Sequence, residues 1–366
     1  MSDSLTQGQW IALAAAPFVS AMLIRGLMVF AEAWGLVDHP GHRKVHQHPT
    51  PLVGGLGMLI AALALQVALG RVPFESWSLL AALLIVTAIG VADDAHELSH
   101  RAKFVAQALG AAVIVSGTSV WVQSFGDLLG FGSIELGKWA ILVTIISVVG
   151  VMNAINMIDG LDGLAGSLCL VPVLMLAFLA AGDATGSAFE LLLLAGVICG
   201  FLMLNLRLPG RPRAMVFMGD TGGMILGMLM AWYSVKLGGA SDAIVKPITA
   251  VWILAVPLLD MGSVMLLRLS QRKSPFHADQ QHLHHVLLHA GYSVNQVVAI
   301  MAVLSLVCGG IAVAAERQGI PQAAMFLVFL LLWASYVVAL MHPGAVKALA
   351  PRILSPHASQ SGSVPS

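Results

Sequence analysis

The sequence predicts an all-α, polytopic membrane protein with about eleven transmembrane helices. Of its 366 residues, 58% are hydrophobic and only 10% are charged, whereas soluble proteins carry about 25% charged residues. The mean hydropathy is +0.89. Apolar runs of about 17–22 residues recur along most of the chain, and a helix of that length spans a hydrocarbon core of roughly 30 Å. The formal net charge is zero, which gives no reason to expect a nucleic-acid partner.

The apolar runs give the helices in chain order. They cover residues 9–31, 52–70, 77–92, 103–119, 138–154, 163–181, 188–205, 218–235, 248–267, 296–314 and 321–341. The first run lacks a basic n-region and a clear cleavage site, so we expect a retained span rather than a signal peptide. Residues 1–350 are expected to form a single membrane domain, and the Ser/Pro/Gly-rich residues 351–366 a disordered cytoplasmic tail.

Lys and Arg residues are divided unequally between the two sides of the predicted bundle. The side reached after the first helix holds twelve of these cations in its loops and tail, and the other side holds five. The richer side is predicted to be cytoplasmic because positive residues concentrate there. We therefore expect the N-terminus outside and the C-terminus in the cytoplasm.

Five unusually polar segments follow alternate helices, and all of them fall on the predicted cytoplasmic side. They are DHPGHRKVHQHPTPLVGG (38–55), GVADDAHEL (90–98), NAINMIDGLDGLAG (153–166), RLPGRPRAMVFMGDTGG (207–223) and RKSPFHADQQHLHH (272–285). The side was assigned from Lys and Arg alone, so the clustering of Asp, Asn and His on it is nearly independent evidence. It predicts one active site at the cytoplasmic membrane surface.

The carboxylates and the amide in these segments suit a divalent cation. Asn156, Asp159 and Asp162 have i, i+3, i+6 spacing and would share one face if they were helical. Their oxygen atoms are the ligands that Mg²⁺ prefers. Asp220 begins an apolar span, where an ionisable residue is a functional candidate by default. The simpler alternative for each residue is a helix cap or a turn.

Asp93 and Asp94 are adjacent at the end of a predicted span. Because neighbouring side chains point about 100° apart on a helix, the two carboxylates need not do the same work. One could accept a proton while the other holds a metal or a lysine. The alternative is a solvated helix end, although a carboxylate is electrostatically unfavourable at a helix C-terminus.

The last segment places His282, His284 and His285 after Arg268 and two further cations. Neutral histidines donate hydrogen bonds and titrate near pH 7, so phosphate binding beside Mg²⁺ is the preferred interpretation. A structural zinc site, which needs about four convergent ligands, and a solvated surface are the alternatives. In the first segment Lys44 suits phosphate as a point charge, and ordinary loop charge is the alternative.

The chain resembles the polyprenyl-phosphate N-acetylhexosamine-1-phosphate transferase superfamily, glycosyltransferase family 4, in five strings that occur in family order. The strings are RKVHQHPTPLVGG, DD, NAINMIDGLDGLAG, FMGDTGG and SPFHADQQHLHHVLLHAG. Leu283 interrupts the histidines as in the WecA-like branch, whereas the MraY-like branch has three histidines in succession. The resemblance implies eleven transmembrane helices with a cytoplasmic site, in agreement with the topology expected above.

This resemblance implies a transferase of the bacterial cytoplasmic (inner) membrane. The enzyme would move an N-acetylhexosamine-1-phosphate, first of all N-acetylglucosamine-1-phosphate, from a UDP-sugar to undecaprenyl phosphate. UMP would leave, and undecaprenyl-diphospho-sugar would remain as the first membrane intermediate of a cell-surface polysaccharide such as the O-antigen of lipopolysaccharide. The implied partners are UDP-N-acetylhexosamine, undecaprenyl phosphate and membrane lipids, and a homodimer is left open.

The resemblance also implies roles for the matching residues. Mg²⁺ is the implied cofactor, with Mn²⁺ as an alternative, and Asn156 and Asp220 are its implied ligands. Asp93, Asp94 and Asp159 take catalytic roles: Asp93 is a base or positioning group for the lipid phosphate, and Asp94 orients a lysine or the loop. The implied substrate-binding residues are Asp162, which is nearest the uridine, and Lys44, Arg268, His282, His284 and His285. Direct attack by the lipid phosphate is favoured over a covalent aspartyl intermediate.

A transporter of metal ions or nucleotide sugars is the main alternative. Transport sites lie near the middle of the membrane, whereas all five polar segments are predicted at one surface. A scaffolding membrane protein, the second alternative, would not need five converging polar loops.

Overall fold

The computed structural model describes residues 5–39, 48–181, 186–239, 243–275, 281–342 and 344, and these are mostly helical. The helices in these ranges are α1 (Gln7–Met28), α2 (Gly54–Ala68), α3 (Trp77–His96), α4 (His100–Thr118), α5 (Ala140–Ile158), α6 (Leu164–Leu179), α7 (Ser187–Asn205), α8 (Gly219–Gly238), α9 (Pro247–Ile253), α10 (Ala255–Ser270), α11 (Leu283–His289), α12 (Val294–Arg317) and α13 (Gln322–Met341). A two-residue antiparallel ribbon pairs β1 (Val37–Asp38) with β2 (Thr50–Pro51).

Each predicted apolar segment coincides with a helix or, in one case, with a pair of helices. In the described part of the chain, six helices are long and apolar enough to cross a membrane, namely α1, α3, α5 with the turn before it, α7, α12 and α13. The pair α9 and α10 makes a seventh if it is counted as one bent span, and α2 and α6 are apolar but shorter. Length and composition therefore describe a multi-pass helical membrane protein.

The apolar run 248–267 forms two helices and not the single helix that was predicted there, so the prediction of a continuous helix was wrong. α9 and α10 meet at Leu254 and are bent by 80°. Pro257 lies in the first turn of α10, so it has no N–H to donate to the carbonyl of Ile253, and in a continuous helix its ring would clash with that carbonyl. Hydropathy does not reveal the bend because both halves are apolar.

α8 lies at the centre of the bundle, and nearly all of its residues are buried. It packs against α3 and α5 at glycines, which let helix backbones approach closely. A Cβ at Gly90 of α3 would lie 2.6 Å from Thr221 Cα, and a Cβ at Gly227 would lie 2.5 Å from Met152 Cα on α5. These close contacts bring the ends of α3 and α5 beside the start of α8.

The polar segments meet at one end of the bundle. This end is formed by the C-terminal ends of α3, α5 and α7 and by the N-terminal ends of α4, α6 and α8. The ribbon is tied to it because the Phe217 N–H donates to the carbonyl of Pro51 at 2.8 Å. A single polar face is thus confirmed for the described parts of the five segments. Residues 40–47 (with Lys44), 276–280 and the predicted tail 351–366 lie outside the described residues.

An ion pair and a hydrogen bond from a backbone N–H hold helix ends together at the opposite end of the bundle. Arg71 Nε lies 3.2 Å from Glu190 Oε1, whose side chain is fully buried. Glu316 Oε2 accepts the N–H of Lys246 at 3.0 Å, just before α9 begins. These charged groups lie far along the helices from the five polar segments.

Candidate active site

Asp94 fixes the start of α8. Its Oδ1 accepts the Asp220 N–H at 2.7 Å, and its Oδ2 accepts both the N–H of Thr221 at 3.1 Å and the Thr221 hydroxyl at 2.6 Å. Gly219 precedes Asp220 with a φ of +72°, a left-handed conformation that glycine adopts without strain. A carboxylate is also favoured electrostatically at a helix N-terminus. Asp94 therefore positions the first turn of α8 and, with it, Asp220.

Asp93 has different partners from Asp94, as the angle between neighbouring helical side chains predicts. Its Oδ2 lies 2.7 Å from Lys103 Nζ, and its Oδ1 accepts the N–H of Leu98 at 2.7 Å. Lys103 Nζ also lies 2.9 Å from Asp220 Oδ2. One ammonium group thus joins the carboxylates of α3 and α8 by charge-assisted hydrogen bonds and offsets their repulsion.

Asn156 brings the last turn of α5 to the same point. Its Nδ2 donates to Asp220 Oδ1 at 3.0 Å, and a Cβ at Gly223 would overlap its Oδ1. The residues predicted as metal ligands are therefore adjacent in space. We call Asp93, Lys103, Asn156 and Asp220 the Asp220 cluster.

Asn156, Asp159 and Asp162 do not share a helix face. α5 ends one residue before Asp159, so only Asn156 is helical and the argument from i, i+3, i+6 spacing fails. Asp162 Oδ2 lies 2.7 Å from Arg207 Nε and accepts the N–H of Ala214 at 3.1 Å. The segment therefore reaches the site as a turn between α5 and α6 that is held by the loop before α8.

Asp159 lies on a wall that it shares with other carboxylates. The surrounding protein removes much of the bulk water from it, and the negative charges of Asp220, Asp94 and Asp162 add to this effect, so the pKa of Asp159 rises from 3.8 to about 7. The residue is nevertheless exposed to the open space of the site. It can exchange a proton there without a rearrangement of the fold.

A cavity of about 740 Å³ opens at this end of the bundle, within the size range of pockets that hold small-molecule substrates. Its wall includes Asp38, Leu52, Asp93, Asp94, His100, Lys103, Asn156, Asp159, Asp162, Arg207, Phe217, Asp220 and His285. All five polar segments contribute to this wall, and so does every acidic residue predicted for the site. The acidic residues that the sequence assigned to one site therefore line a common cavity.

The predicted histidines occupy two layers. His285 lines the cavity, whereas His282 and His284 are buried. The ring centroids of His284 and His285 lie 4.1 Å apart, edge to face. Burial and the neighbouring His285 lower the pKa of His284 to about 3, so its ring is neutral at pH 7. Neither of its nitrogens has a hydrogen-bond partner among the described residues.

Arg268 is not brought together with the carboxylates. Its side chain is buried, and its Nη1 donates to the carbonyl of Pro275 at 2.6 Å. In the part of the chain that the structure describes, it does not belong to the cavity wall. Arg268 therefore holds the chain after α10, and the phosphate-binding role expected for it stays a prediction.

The Asp220 cluster fits a hard divalent cation. Mg²⁺ is usually bound by one or two carboxylates together with water and substrate phosphates rather than by a complete protein cage. Asp220 and Asn156 supply a carboxylate and an amide side by side. The described His, Cys, Asp and Glu side chains form no group of three that would hold a metal by themselves, so water and phosphate oxygens would complete the coordination shell.

Two cations of the site were not predicted as functional residues. Lys103 and Arg207 entered the sequence argument only as loop charges that set the orientation. The sequence did contain a signal for Lys103 as a site residue. Lys103 begins an apolar run shortly after Asp93 and Asp94, and a lysine was considered as a partner of one of these carboxylates. Arg207 gave no such signal, since its partner Asp162 is 45 residues away in the chain.

Comparison with known proteins supplies the family. Residues 76–238, which contain the whole Asp220 cluster, match the family described as Glycosyl transferase family 4. An undecaprenyl-phosphate alpha-N-acetylglucosaminyl 1-phosphate transferase of Haemophilus influenzae is 33% identical over 327 residues, or 89% of this chain and 92% of that protein. The chain belongs to glycosyl transferase family 4.

Further relatives in glycosyl transferase family 4 carry the same name. The protein of Salmonella typhi is 31% identical over 306 residues, covering 82% of this chain and 83% of the relative. That of Escherichia coli K12 is 30% identical over 326 residues, covering 87% and 88%. These similarities support the WecA-like branch that the interrupted histidines predicted.

Proposed function

We propose that the protein transfers N-acetylglucosamine-1-phosphate from UDP-N-acetylglucosamine to undecaprenyl phosphate, giving undecaprenyl-diphospho-N-acetylglucosamine and UMP. The observation that carries this proposal is the Asp220 cluster, where side chains of four helices meet in a polar cavity at one end of an apolar bundle. The relatives that span most of the chain are named for this activity. The product would begin the synthesis of a cell-surface polysaccharide.

The position of the cavity suits one substrate in the bilayer and one in water. Undecaprenyl phosphate has a long isoprenoid tail that stays in the membrane, while the UDP-sugar is soluble. We place the cavity at the cytoplasmic face of the bacterial inner membrane because Lys and Arg concentrate in the loops at that end of the helix bundle. The same proposal includes eleven spans, with the N-terminus outside and the C-terminus inside.

Positive side chains in the cavity would reduce the repulsion between the donor diphosphate and the phosphate of the lipid acceptor. Lys103 and Arg207 supply positive charge on a wall that is otherwise acidic, and such charge stabilises the transition state where negative charge accumulates. Mg²⁺, or Mn²⁺ in its place, would be held by Asp220 and Asn156 and would supply Lewis-acid polarisation of the donor diphosphate. The lipid phosphate is itself a nucleophile, so direct attack needs no covalent intermediate with the protein.

The geometry favours different roles for Asp93 and Asp159. Both oxygens of Asp93 are engaged, by Lys103 and by the N–H of Leu98, which suits a group that positions the lysine. Asp159 is exposed in the cavity and has a pKa of about 7, close to the value at which a general base is most effective. We therefore propose that Asp159 accepts the proton of the lipid phosphate and that Asp93 positions Lys103.

A product assay tests this function. Purified protein is incubated with undecaprenyl phosphate, Mg²⁺ and, in separate reactions, UDP-N-acetylglucosamine, UDP-N-acetylgalactosamine and UDP-glucose, and the lipid is identified by its mass. We expect undecaprenyl-diphospho-N-acetylglucosamine together with UMP. Asp220→Ala should form no product while inserting normally, and Asp127→Ala, on the loop at the opposite end, should keep wild-type activity. A wild-type protein that makes no lipid-linked sugar from any donor would refute the proposal.

The same preparation separates transfer from transport. In proteoliposomes, uptake of UDP-N-acetylglucosamine or of a divalent cation without any lipid product would favour the transporter alternative. We expect a lipid product and no accumulation inside the vesicle, since the charged groups of the cavity wall lie at one end of the described helices rather than midway along them.

A further inference from the structure

Asp260 is a buried carboxylate that joins three helices behind the histidines. It lies on α10 and is 1% exposed. Its Oδ2 lies 2.6 Å from His282 Nδ1, and its Oδ1 accepts the N–H of Leu283 at 2.9 Å and the hydroxyl of Tyr336 from α13 at 2.9 Å. Both oxygens are therefore used, and the beginning of α11 is attached to α10 and α13 through this one side chain.

A continuous set of ring contacts leads from Asp260 to the cavity. The ring of His282 stacks on that of His284 with centroids 5.5 Å apart, and His284 meets His285 on the cavity wall. His284 also faces the acidic turn, because a Cβ at Gly160 would lie 2.6 Å from its Nε2. The orientation of His282 therefore affects the packing of the wall beside Asp159.

We propose that Asp260 is a positioning residue of the transferase, which acts by holding His282 with its proton on Nδ1 and thereby fixes the cluster of His282, His284 and His285 against the acidic turn. An ionised carboxylate only accepts hydrogen bonds, so the Nδ1 that faces it must carry the proton. In this tautomer Nε2 of His282 is left as the acceptor, in the way that carboxylates orient metal-ligating histidines elsewhere. The role in catalysis rests on the proposed function, whereas the tautomer does not.

The decisive variant is Asp260→Asn. The asparagine carbonyl can still accept from Leu283 and Tyr336, but its NH₂ group faces Nδ1 and drives the His282 proton to Nε2. We expect kcat/KM for UDP-N-acetylglucosamine to fall about 10–100-fold, the size of effect that follows the loss of a carboxylate that orients a metal-ligating histidine. The KM for undecaprenyl phosphate should not change, although a general loss of structure would affect both substrates.

Two matched variants separate positioning from stability. Tyr336→Phe removes one hydrogen bond to Asp260 and leaves the Asp260–His282 pair, so kcat/KM for the donor should fall no more than about fivefold. Glu190→Gln neutralises another buried carboxylate at the opposite end of the bundle and should leave the donor kinetics unchanged. In a His282→Gln background, Asp260→Asn should add little, because residues that act through one another are not additive.

Nitrogen NMR of histidine-labelled protein gives a readout that does not depend on activity, and the His282 signal is assigned from its loss in His282→Gln. We expect a protonated Nδ1 in the wild type and a protonated Nε2 in Asp260→Asn. A wild-type His282 protonated only on Nε2 would overturn the inference even if Asp260→Asn failed to fold. Unchanged donor kinetics in a folded Asp260→Asn would overturn it as well. If the wild type made no lipid product, the proposed function would fail while the tautomer would still be decided.

Discussion

Two adjacent carboxylates at the end of α3 show how single residues divide the work of the site. Asp94 holds the backbone at the start of α8, while Asp93 holds the ammonium of Lys103. Both arrangements bear on Asp220, one through its backbone and one through its side chain. A substitution at either position should therefore disturb Asp220, but by different routes.

Asp93→Asn tests the positioning role. The variant keeps the shape of the side chain and removes the charge that holds Lys103, so we expect the rate to fall about 10–100-fold. The acidic limb of the pH–rate profile should stay at the same pH, because Asp93 is not the group that accepts the proton. Loss of that limb would show that Asp93 is the base. Asp127→Asn is the matched control and should keep both the rate and the profile.

Asp159→Asn tests the raised pKa. The folded protein raises the pKa of this carboxyl from 3.8 to about 7, so ionisation of Asp159 opposes folding. The resulting loss in the free energy of unfolding grows as the pH rises from about 4 to 7 and is constant above that. Without divalent cations, Asp159→Asn should therefore melt about 1–3 °C higher than the wild type at pH 8, with a smaller difference at pH 5.

The same variant should lose most of its transferase activity, and the residual activity should lack the acidic limb of the pH–rate profile. A gain of stability with a loss of activity is expected where a site holds like charges together. Melting curves in detergent at the two pH values provide the measurement. A variant that is less stable than the wild type at pH 8 would show that Asp159 is stabilised by its neighbours rather than repelled.

At the scale of single residues, the sequence predicted the acidic residues of the site better than the basic ones. Asn156 and Asp220 were paired from motifs, and their side chains meet at 3.0 Å. Lys103 and Arg207 were missed as site residues because their partners are fixed by the way helix ends meet. Arg268 was predicted to bind the phosphates of the donor, and the structure shows it buried and bound to a backbone carbonyl.

At the scale of helices, the site depends on how closely α5 approaches α8. Gly223→Ala adds a Cβ that would overlap Asn156 Oδ1, so the amide must move away from Asp220. We expect a loss of activity of about 100-fold, since small displacements of a catalytic geometry have effects of that size. Product formation at saturating substrate is the measurement.

Gly150→Ala is the matched control for this prediction. Gly150 lies on the same helix as Asn156, and a Cβ there meets nothing within 4 Å. The control should keep its activity and gain slightly in stability, as alanine does over glycine in a helix. Equal activity in Gly223→Ala and the wild type would mean that transfer does not depend on the position of the Asn156 amide beside Asp220.

Helices as elements were well predicted, and their ends were not. All eleven apolar runs became helices because length and hydropathy suffice to mark them. The i, i+3, i+6 spacing of Asn156, Asp159 and Asp162 suggested one helix face, but α5 ends before Asp159, where Gly160 and Gly163 interrupt the pattern. The bend at Leu254 was readable only from Pro257, and a proline in an apolar run is a weaker signal than the hydropathy around it.

At the scale of the whole molecule, the proposed orientation can be measured directly. Arg101 lies at the end that carries the cavity, and Ser133 lies on the loop at the opposite end; both are exposed. A single cysteine is introduced at each position in a Cys199→Ser background and labelled with a membrane-impermeant maleimide. We expect Ser133→Cys to react in intact cells and Arg101→Cys to react only after permeabilisation. The reverse pattern would place the cavity on the outer face.

The most direct test of the account follows the two phosphorus atoms of the donor. UDP-N-acetylglucosamine is labelled with radioactive phosphorus at either the α or the β position and incubated with Mg²⁺ and undecaprenyl phosphate. We predict that in the wild type the β label enters the lipid and the α label leaves as UMP, and that Asp220→Ala forms neither labelled product. Release of UDP that carries both the α and the β phosphorus would contradict transfer of the sugar-1-phosphate. Entry of the β label into the lipid in Asp220→Ala would contradict the role of Asp220.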